Sequence, residues 1–222
     1  MNAGVSPVTE APASVSDATA CGRASLYDVG ERSGVVPTVI SHALVPLTVA
    51  IAAGSKRIPP KVALTGMLLA MLPDLDVIGF RFGISYDAIW GHRGAMHSLA
   101  IGAIIVFGMA ALVPALRKGW TMAFLLLAIT SHGLLDMMTD GGRGVGLLWP
   151  FDSIRYFAPW RPIRVSPIGA GFFTPRGMVT AISELQWIWL PCLVVVVSAL
   201  TVRRFHRRES ALPGGGIDAP NV

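Results

Sequence analysis

Apolar runs separated by short polar stretches dominate the middle of this chain. Each run is close to the roughly 20 residues that a helix needs to cross a hydrocarbon core about 30 Å thick. Five runs fit this description, at residues 35–53, 62–80, 97–116, 120–139 and 185–202. Prolines at positions 46, 114 and 191 lie within them, which membrane helices tolerate. The pattern predicts an all-α, multi-pass transmembrane helical bundle of about five spans.

The two ends of the chain lack this pattern. Residues 1–34 are rich in Ala, Ser, Val and Pro without a sustained period, and we expect a disordered tail there. They contain no charged start followed by an apolar core and a cleavage site, so the first span is expected to act as an uncleaved targeting signal. Residues 203–222 carry several arginines and then a Pro-Gly-Gly-Gly stretch, which favours a basic cytoplasmic tail. The bundle is therefore assigned to residues 35–202.

Composition favours a membrane protein over the alternative, a soluble all-α protein with buried helices. Hydrophobic residues make up 53% of the chain and charged residues 14%, where soluble domains carry about 25% charged residues. The net charge of +5 would suit nucleic acid, but Lys and Arg of membrane proteins concentrate in loops. We therefore expect no nucleic-acid partner. Cys21 and Cys192 provide neither a disulfide framework nor a CxxC metal site.

Positive charges in the short loops indicate the orientation. They lie between spans one and two, between spans three and four, and after span five: Lys56, Arg57, Lys61, Arg117, Lys118, Arg203, Arg204, Arg207 and Arg208. With five spans all three clusters fall on one side, which the positive-inside rule makes cytoplasmic. The loops 81–96 and 140–184 are then outside, although five arginines in the second loop weaken the bias.

Four of the five histidines lie in or beside the apolar runs, together with three aspartates. In chain order these residues are His42, Asp74, Asp76, His92, His97, His132 and Asp136. Because successive helices alternate in direction, all of them fall toward the outer edge of the membrane. An Asp at the centre of a membrane helix costs about 2.5–3.5 kcal/mol on insertion scales, so the group needs a compensating charge. A divalent cation bound by imidazoles and carboxylates would supply it.

The spacing of the candidate metal ligands along the chain indicates which of them can share one face of a helix. His132 and Asp136 are four residues apart, so a helix presents both on one face. Asp74 and Asp76 are two apart, and a regular helix cannot aim both inward. Either one is a ligand while the other caps or orients, or Pro73 distorts that turn. Taken singly, the His132–Asp136 pair also fits a packed hydrogen bond, and either of the other aspartates fits a helix end.

The motif around the third span needs a loop as well as a helix. His92 and His97 are five residues apart and would diverge on a helix, which places His92 in the preceding loop and His97 in the first turn. Arg93 lies four residues before His97 and can face the same cavity, where its fork suits a phosphate. A lone membrane histidine such as His42 is also often bonded to a backbone carbonyl.

Other motifs have simpler interpretations. Residues 141–146 resemble a phosphate cradle, but their spacing fits no nucleotide-binding motif and favours a flexible turn. Four tryptophans are typical of interfacial anchors: Trp149, Trp160, Trp187 and Trp189. His206 lies among arginines of the tail, where solvation is expected.

Several motifs occur in a characteristic order. They are His42, Pro73-Asp74-Leu75-Asp76, His92-Arg93-Gly94-Ala95-Met96-His97-Ser98, Ser131-His132 with Asp136 and Thr139, and Trp149-Pro150-Phe151. This ordered set resembles the YdjM-like inner-membrane proteins, a family described as membrane-bound metal-dependent hydrolases. The resemblance covers roughly residues 37–151 and implies a bacterial inner (plasma) membrane location.

That family is similar in turn to zinc-dependent phospholipases C and related single-strand nucleases. The resemblance implies these ligands: His42, Asp76 or Asp74, His97, His132 and Asp136. It makes Asp136 the bridge between two metals. The soluble enzymes also have a later pair of histidines and a Glu that complete a third metal site. This chain has no histidine between His132 and His206, so it departs from the pattern there.

We therefore expect a membrane-bound metal-dependent hydrolase, a phosphoesterase acting on a lipid or lipid-linked substrate at the bilayer edge. The expected ligands of one or two divalent ions are His42, Asp76, His92, His97, His132 and Asp136. Zinc is preferred over manganese by ligand type. Asp74 is the preferred general base and Arg93 the second catalytic residue, while Arg143, Arg161 and Arg164 are further candidates for holding an anionic head group.

Three other classes use the same residues differently. A transporter would place polar residues through the full depth of several helices, whereas the inner halves here are apolar. An intramembrane protease is disfavoured because the chain has no His-Glu-x-x-His motif. A structural membrane protein would use the cluster only to hold helices together.

Overall fold

Five helical elements form along the apolar runs. The structure is a computed structural model that describes residues 39–165 and 174–209. The elements are α1 (Val39–Ala53), α2 (Pro60–Met71, continued by the 3-10 helix Leu72–Phe82), α3 (Leu99–Leu112), α4 (Gly119–Met137) and α5 (Pro175–Glu184, the π-helical turn Leu185–Trp189 and Leu190–Glu209). The described residues contain no β-strand, only two isolated β-bridges. The predicted all-α class is confirmed.

Three of the helices are long and apolar enough to cross a membrane, judged by length and composition. They are Pro60–Phe82, Gly119–Met137 and Pro175–Arg208. The helices α1 and α3 are apolar but have 15 and 14 residues. At 1.5 Å per residue they span about 21–23 Å, less than the hydrocarbon thickness of about 30 Å. The bundle thus combines three full-length candidate spans with two shorter apolar helices.

The fifth span differs most from its predicted bounds. The apolar run predicted a helix over 185–202, but α5 begins at Pro175, a residue suited to the first turn of a helix. Thr180, Ser183 and Glu184 are polar yet buried, because they face the protein rather than lipid. A search for apolar runs therefore places the start of this helix too late in the sequence. The helix also continues through Glu209 into the segment predicted as a tail. The predicted tail at 1–34 lies outside the described residues.

Local chemistry sets the boundaries of the other helices. Pro73 has no N–H to continue the α-helical pattern, and the chain tightens into a 3-10 helix at that point. Ser98 caps α3, since its Oγ accepts a hydrogen bond of 3.1 Å from the Ile101 amide. His97, predicted in the first turn of that helix, lies instead in the short 3-10 turn Ala95–His97 just before it.

The helices pack around an apolar core. Helix α1 contacts α2, α4 and α5, while α4 also contacts α2 and α3. The core residues are Ala50, Ile58, Leu69, Val106, Phe124, Leu125 and Ile129. Gly66 lets α2 approach α4 closely, because a Cβ at that position would lie 2.5 Å from Cε1 of Phe124. Small residues commonly serve this purpose between membrane helices.

The basic clusters share one end of the bundle. Arg117 donates from Nε to the Ala110 carbonyl (2.9 Å) and from Nη2 to the Ala111 carbonyl (2.8 Å), which caps the end of α3. Arg203 of α5 donates to the carbonyl of Ile51 near the end of α1. Helix α5 therefore runs in the same direction as α1. The loops that join α1 to α2 and α3 to α4 lie at this same end.

Two helical glycines offer a matched test of the packing. Gly66→Ala is expected to lower the free energy of unfolding by about 1–3 kcal/mol, because the new methyl group would overlap the Phe124 ring. Gly108→Ala in α3 meets no atom within 4 Å and should keep or raise stability, since alanine favours helix by up to about 1 kcal/mol. Denaturation of the detergent-purified variants checks this. Equal losses would contradict the close approach of α2 and α4.

Candidate metal centre

Four helices deliver histidine and aspartate side chains to the end of the bundle opposite the basic clusters. The start of α1 provides His42, the 3-10 part of α2 provides Asp74, and the turn before α3 provides His97. The last turns of α4 provide His132 and Asp136. All five side chains are between 0 and 4% exposed. The prediction that alternating helix directions bring these groups to one end of the bundle is confirmed.

A four-residue group forms the centre of the site. The Nε2 atoms of His97 and His132 lie 3.0 Å apart. Oδ2 of Asp136 is 3.2 Å from the first and 3.6 Å from the second. Oδ1 of Asp74 is 3.9 Å and 3.5 Å from the same two nitrogens. One ligand atom from each residue therefore falls within 4.8 Å of every other.

These separations fit a small cation. In a four-coordinate zinc site with bonds of about 2.0–2.1 Å, neighbouring ligand atoms lie roughly 3.3–3.4 Å apart. The five separations given above range from 3.0 to 3.9 Å and so bracket that value. Two imidazole nitrogens and two carboxylate oxygens are also a donor set that suits zinc. The residues present thus fit a divalent metal ion.

The second ring nitrogen of each central histidine lies close to an oxygen of a neighbouring residue. Nδ1 of His132 lies 2.7 Å from the backbone carbonyl of Ala70, to which it can only donate, so the Nε2 lone pair of His132 is directed at the centre. Nδ1 of His97 lies 3.2 Å from Oδ2 of Asp76 but makes no hydrogen bond among the described residues. Such outer contacts commonly fix the tautomer of metal-binding histidines.

Asp76 and His92 form a second group beside the first. Oδ1 of Asp76 lies 2.7 Å from Nδ1 of His92, and its Oδ2 accepts a hydrogen bond of 3.1 Å from the Arg93 amide. The Asp76 side chain is 1% exposed. Asp76, His92 and His97 also have the ligand separation of a cation site. The 3-10 turn after Pro73 thus directs Asp74 toward the central group and Asp76 toward the second one.

Several buried polar atoms of the site have no hydrogen-bond partner among the described residues. They include both oxygens of Asp74, Oδ2 of Asp136, Nε2 of His92 and both ring nitrogens of His42. Buried polar groups are almost always satisfied, and unpaired carboxylate oxygens are especially costly. Three buried carboxylates face one buried guanidinium, which leaves two negative charges if the imidazoles are neutral. A divalent cation matches this balance.

His42 lies at the edge of the central group. Its Nε2 is 3.7 Å from Oδ1 of Asp136 and 4.0 Å from Oδ2 of Asp74. Its ring stacks on His132 with centroids 3.8 Å apart. Next to it, Ser41 donates to Glu184 of α5 (2.6 Å) and accepts from Nε1 of Trp189 (3.0 Å). These contacts anchor α5 on α1 beside the site.

Arg93 connects Asp136 of the central group to the loop that follows α4. It has a positive φ of 63°, the single non-glycine case among the described residues. Nη2 donates to Oδ1 of Asp136 (3.2 Å), while Nη1 donates to Oγ1 of Thr139 (2.9 Å) and to the Gly141 carbonyl (3.1 Å). Its own carbonyl accepts from the Gly146 amide at 2.8 Å. Residues 141–146, predicted as a flexible turn, are therefore packed against Arg93.

The loop before His92 contributes a residue that sequence reasoning missed. Tyr86 packs edge-on against the His92 ring, with centroids 5.5 Å apart. Burial is the largest influence on the pKa of the Tyr86 phenol and raises it, which keeps the hydroxyl protonated. Arg155 holds this loop by donating to the carbonyls of Tyr86, Ala88 and His92. No periodicity marks Tyr86. The one signal in the sequence is an aromatic residue in the loop ahead of His92-Arg93.

The other arginines predicted to hold an anion lie away from the central group. Arg143 pairs with Asp87 at the surface, and Arg164 pairs with Asp140. The guanidinium of Arg161 lies 4.7 Å from the Phe157 ring centroid. Among the tryptophans, Trp160 packs on Trp187, and Trp149 packs on Trp90. Trp160, Trp187 and Trp189 are partly exposed, as interfacial anchors would be.

The fold and the site together define a class, that of helical membrane proteins with a buried histidine–aspartate cluster able to hold metal. Comparison with known proteins identifies the family. Residues 37–209 match the model of the YdjM inner membrane protein family, and the chain belongs to it. The resemblance seen in the motifs is thereby confirmed.

A curated relative supports the same assignment. The chain is 44% identical to Inner membrane protein YbcI of Escherichia coli (strain K12) over 169 residues. That match covers 72% of this chain and 95% of the relative. No solved structure matches the chain. The family and the relative support a location in a bacterial inner membrane.

Arg93 and Arg143 allow a matched test of how much the contact between Arg93 and Asp136 contributes to stability. Arg93→Ala is expected to cost about 3–5 kcal/mol of stability, because it leaves the buried Asp136 without its guanidinium. Arg143→Ala removes an exposed pair and should cost no more than about 1 kcal/mol. Denaturation of both purified variants compares them. Equal and small effects would show that Arg93 is not needed to balance the site.

Proposed function

We propose that this chain is a membrane-bound metal-dependent hydrolase, a phosphoesterase that acts on a lipid or lipid-linked substrate at the bilayer edge. One observation carries the proposal. Asp74, His97, His132 and Asp136 come from three different parts of the chain and meet in a buried group with the donor set and spacing of a zinc site. Their unsatisfied atoms support a bound cation over simple packing.

The side chains of the central group would act as ligands of the ion. A divalent cation in such a site polarises a phosphoryl oxygen and lowers the pKa of water toward about 7. Asp74, His97, His132 and Asp136 would hold it, and His42 lies where it can complete or extend the set. One ion in the central group matches the roles assigned below, whereas a second ion would take Asp76, His92 and His97 as ligands instead. Zinc is favoured by the mixed nitrogen and oxygen donors.

The geometry distinguishes the roles of two neighbouring aspartates that their spacing leaves open. The sequence favours Asp74 as general base, and the resemblance implies Asp76 or Asp74 as the ligand. Asp74 now lies in the central group, while Asp76 lies 3.2 Å from the outer nitrogen of His97 and contacts His92. We therefore assign Asp74 as a ligand and Asp76 as the carboxylate that orients both histidines. Both assignments stay predictions.

Arg93 combines two roles in this proposal. It neutralises Asp136 and holds the loop 139–141 against the site. These bonds use Nη1 and Nη2, whereas Nε has no partner among the described residues. A guanidinium in this state can stabilise developing negative charge on a phosphoryl group without being repositioned.

The surroundings of the site suit a lipid substrate. Large apolar side chains are exposed at the same end of the bundle, among them Ile40, Leu75, Ile78 and Phe82. In a membrane protein such side chains contact acyl chains, so a lipid head group can approach the cluster from the bilayer. The basic clusters at the opposite end would be cytoplasmic under the positive-inside rule, which puts the site on the outer side.

The buried core speaks against a transport pathway. Beyond the cluster the bundle is filled by apolar side chains such as Leu69, Val106, Phe124 and Leu125. A transit path would need polar groups through that depth. The hydrolase is therefore favoured over a carrier that uses the same histidines.

Metal removal provides the first test of the activity. The purified protein should hydrolyse a phospholipid or a chromogenic phosphodiester, lose that activity in chelator, and regain it on addition of zinc. The physical reason is that the site's unpaired carboxylates need the cation both to remain ordered and to act on a phosphoryl oxygen. Hydrolysis that is indifferent to chelator would contradict the proposal.

Three aspartate-to-asparagine variants test the assignment of roles. Asp74→Asn should abolish stoichiometric metal binding, because it removes a ligand oxygen. Asp76→Asn should bind metal roughly 10–100-fold more weakly, as expected for an outer-shell partner. Asp87→Asn, an exposed carboxylate of the neighbouring loop, is the control and should match the parent. Metal titration of the purified variants distinguishes the two roles, and a stronger loss of binding in Asp76→Asn than in Asp74→Asn would make Asp76 the ligand.

A further inference from the structure

An apolar groove lies between α1 and α4 at the basic end of the bundle. Its volume is about 190 Å³, and its apolar walls are Val49, Ala53, Ala123, Phe124 and Leu127. A water molecule in the liquid takes about 30 Å³, close to the volume of a methylene group, so the groove has room for about six methylene groups. Along α4 the groove extends from Trp120 to Leu127, which is about 10 Å at 1.5 Å per residue. These dimensions suit part of one acyl chain.

A cation with a fixed backbone lies at the loop end of this groove. Arg57 lines the groove, and its guanidinium carbon is 5.6 Å from the centroid of the Trp120 ring. The amides of Arg57 and Ile58 both donate to the Gly54 carbonyl at 3.0 Å, and Ile58 is buried in the core. The side chain of Arg57 is nevertheless exposed. Its guanidinium can therefore pair with a group at the membrane surface.

The helices around the groove provide no carboxylate that could pair with Arg57. The segments 39–73 and 99–135, which include this end of α1 to α4, contain no Asp or Glu. They contain five cations, namely Lys56, Arg57, Lys61, Arg117 and Lys118. Helix α4 also begins at Gly119 without a side-chain cap, which adds the partial positive charge of its first amides. The loop end of the groove therefore attracts an anion.

A second apolar groove shows what the cation adds. It lies between α1 and α5 and has a volume of about 260 Å³. Its walls include Leu44, Leu47, Cys192 and Val196, and no charged residue lines it within the described part of the chain. A lipid tail there would be held by apolar contacts alone, whatever its head group. The groove between α1 and α4 combines apolar walls with a positive charge, and so can select the head group as well.

We propose that the groove between α1 and α4 binds one acyl chain of an anionic phospholipid, whose phosphate group pairs with Arg57. Basic pockets between membrane helices are suited to anionic head groups, and a tryptophan ring is favoured at the same level of the bilayer. A second copy inserted in the same direction would present the same cations here, and like charges repel, so the occupant is lipid. The site lies at the end opposite the metal centre and does not rest on the proposed hydrolase.

Quenching of Trp120 fluorescence by brominated lipids tests the site in the full chain. The protein is reconstituted in phosphatidylcholine vesicles with an increasing share of phosphatidylglycerol, or of phosphatidylcholine, that carries brominated acyl chains. Bromine quenches a tryptophan that it contacts, and Trp120 is 71% exposed. The part of the quenching that is lost in Trp120→Phe reports on the groove. Brominated phosphatidylglycerol should quench this part at a several-fold lower share than brominated phosphatidylcholine.

Charge variants test the pairing with the phosphate group. Arg57→Gln should lower the preference for phosphatidylglycerol by about fivefold, as expected for the loss of one cation near the membrane surface. Arg57→Lys keeps the charge and should keep most of the preference. Arg204→Gln is the matched control, because Arg204 is an exposed arginine at the same end of the bundle that does not line the groove. It should match the parent.

Two filling variants test the apolar part. Ala123→Leu narrows the groove between α1 and α4 and should weaken the preference, whereas Cys192→Leu narrows the second groove and should not. Circular dichroism of every variant should match the parent, which separates loss of the site from loss of the fold. The inference is overturned by equal quenching of parental Trp120 by both lipids, by an unchanged preference in Arg57→Gln, or by equal effects of the two filling variants. Absence of quenching by either lipid would also overturn it, because protein would then cover the groove.

Discussion

The compensation of buried negative charge is the constraint on which this structure depends. Asp74, Asp76 and Asp136 are carboxylates buried at one end of an apolar bundle, where unpaired charge is costly. Arg93 supplies one positive charge by direct contact with Asp136. The remaining charge and the unsatisfied atoms around Asp74 fit the cation that we propose His97 and His132 to hold. The guanidinium is positioned by its further hydrogen bonds to Thr139 and to the Gly141 carbonyl.

Much of the bundle and the membership of the site could be predicted because they follow from local rules. Apolar runs predicted five helices, and alternating helix directions predicted that His42, Asp74, His97 and Asp136 would meet. The start of α5 was missed for a physical reason. Its first turns carry polar residues that face the protein, so hydropathy alone places the start too late.

Long-range geometry explains what the sequence did not reveal within the site. The roles of Asp74 and Asp76 depend on how the 3-10 turn after Pro73 rotates each carboxylate, which two-residue spacing does not determine. Arg93 reaches across the chain to Thr139 and the Gly141 carbonyl, partners that no motif connects. Tyr86 lies in a loop without periodicity. Its contact with the His92 ring follows from the path of that loop, which spacing does not predict.

The metal content of the purified protein tests the central claim most directly. Elemental analysis should find one or two equivalents of a divalent metal, with zinc favoured, in protein prepared without chelator and supplied with metal. A His132→Ala variant that still folds should contain markedly less, because it lacks a central nitrogen ligand. Folded parent protein that retains no divalent metal after exposure to zinc or manganese would contradict the account.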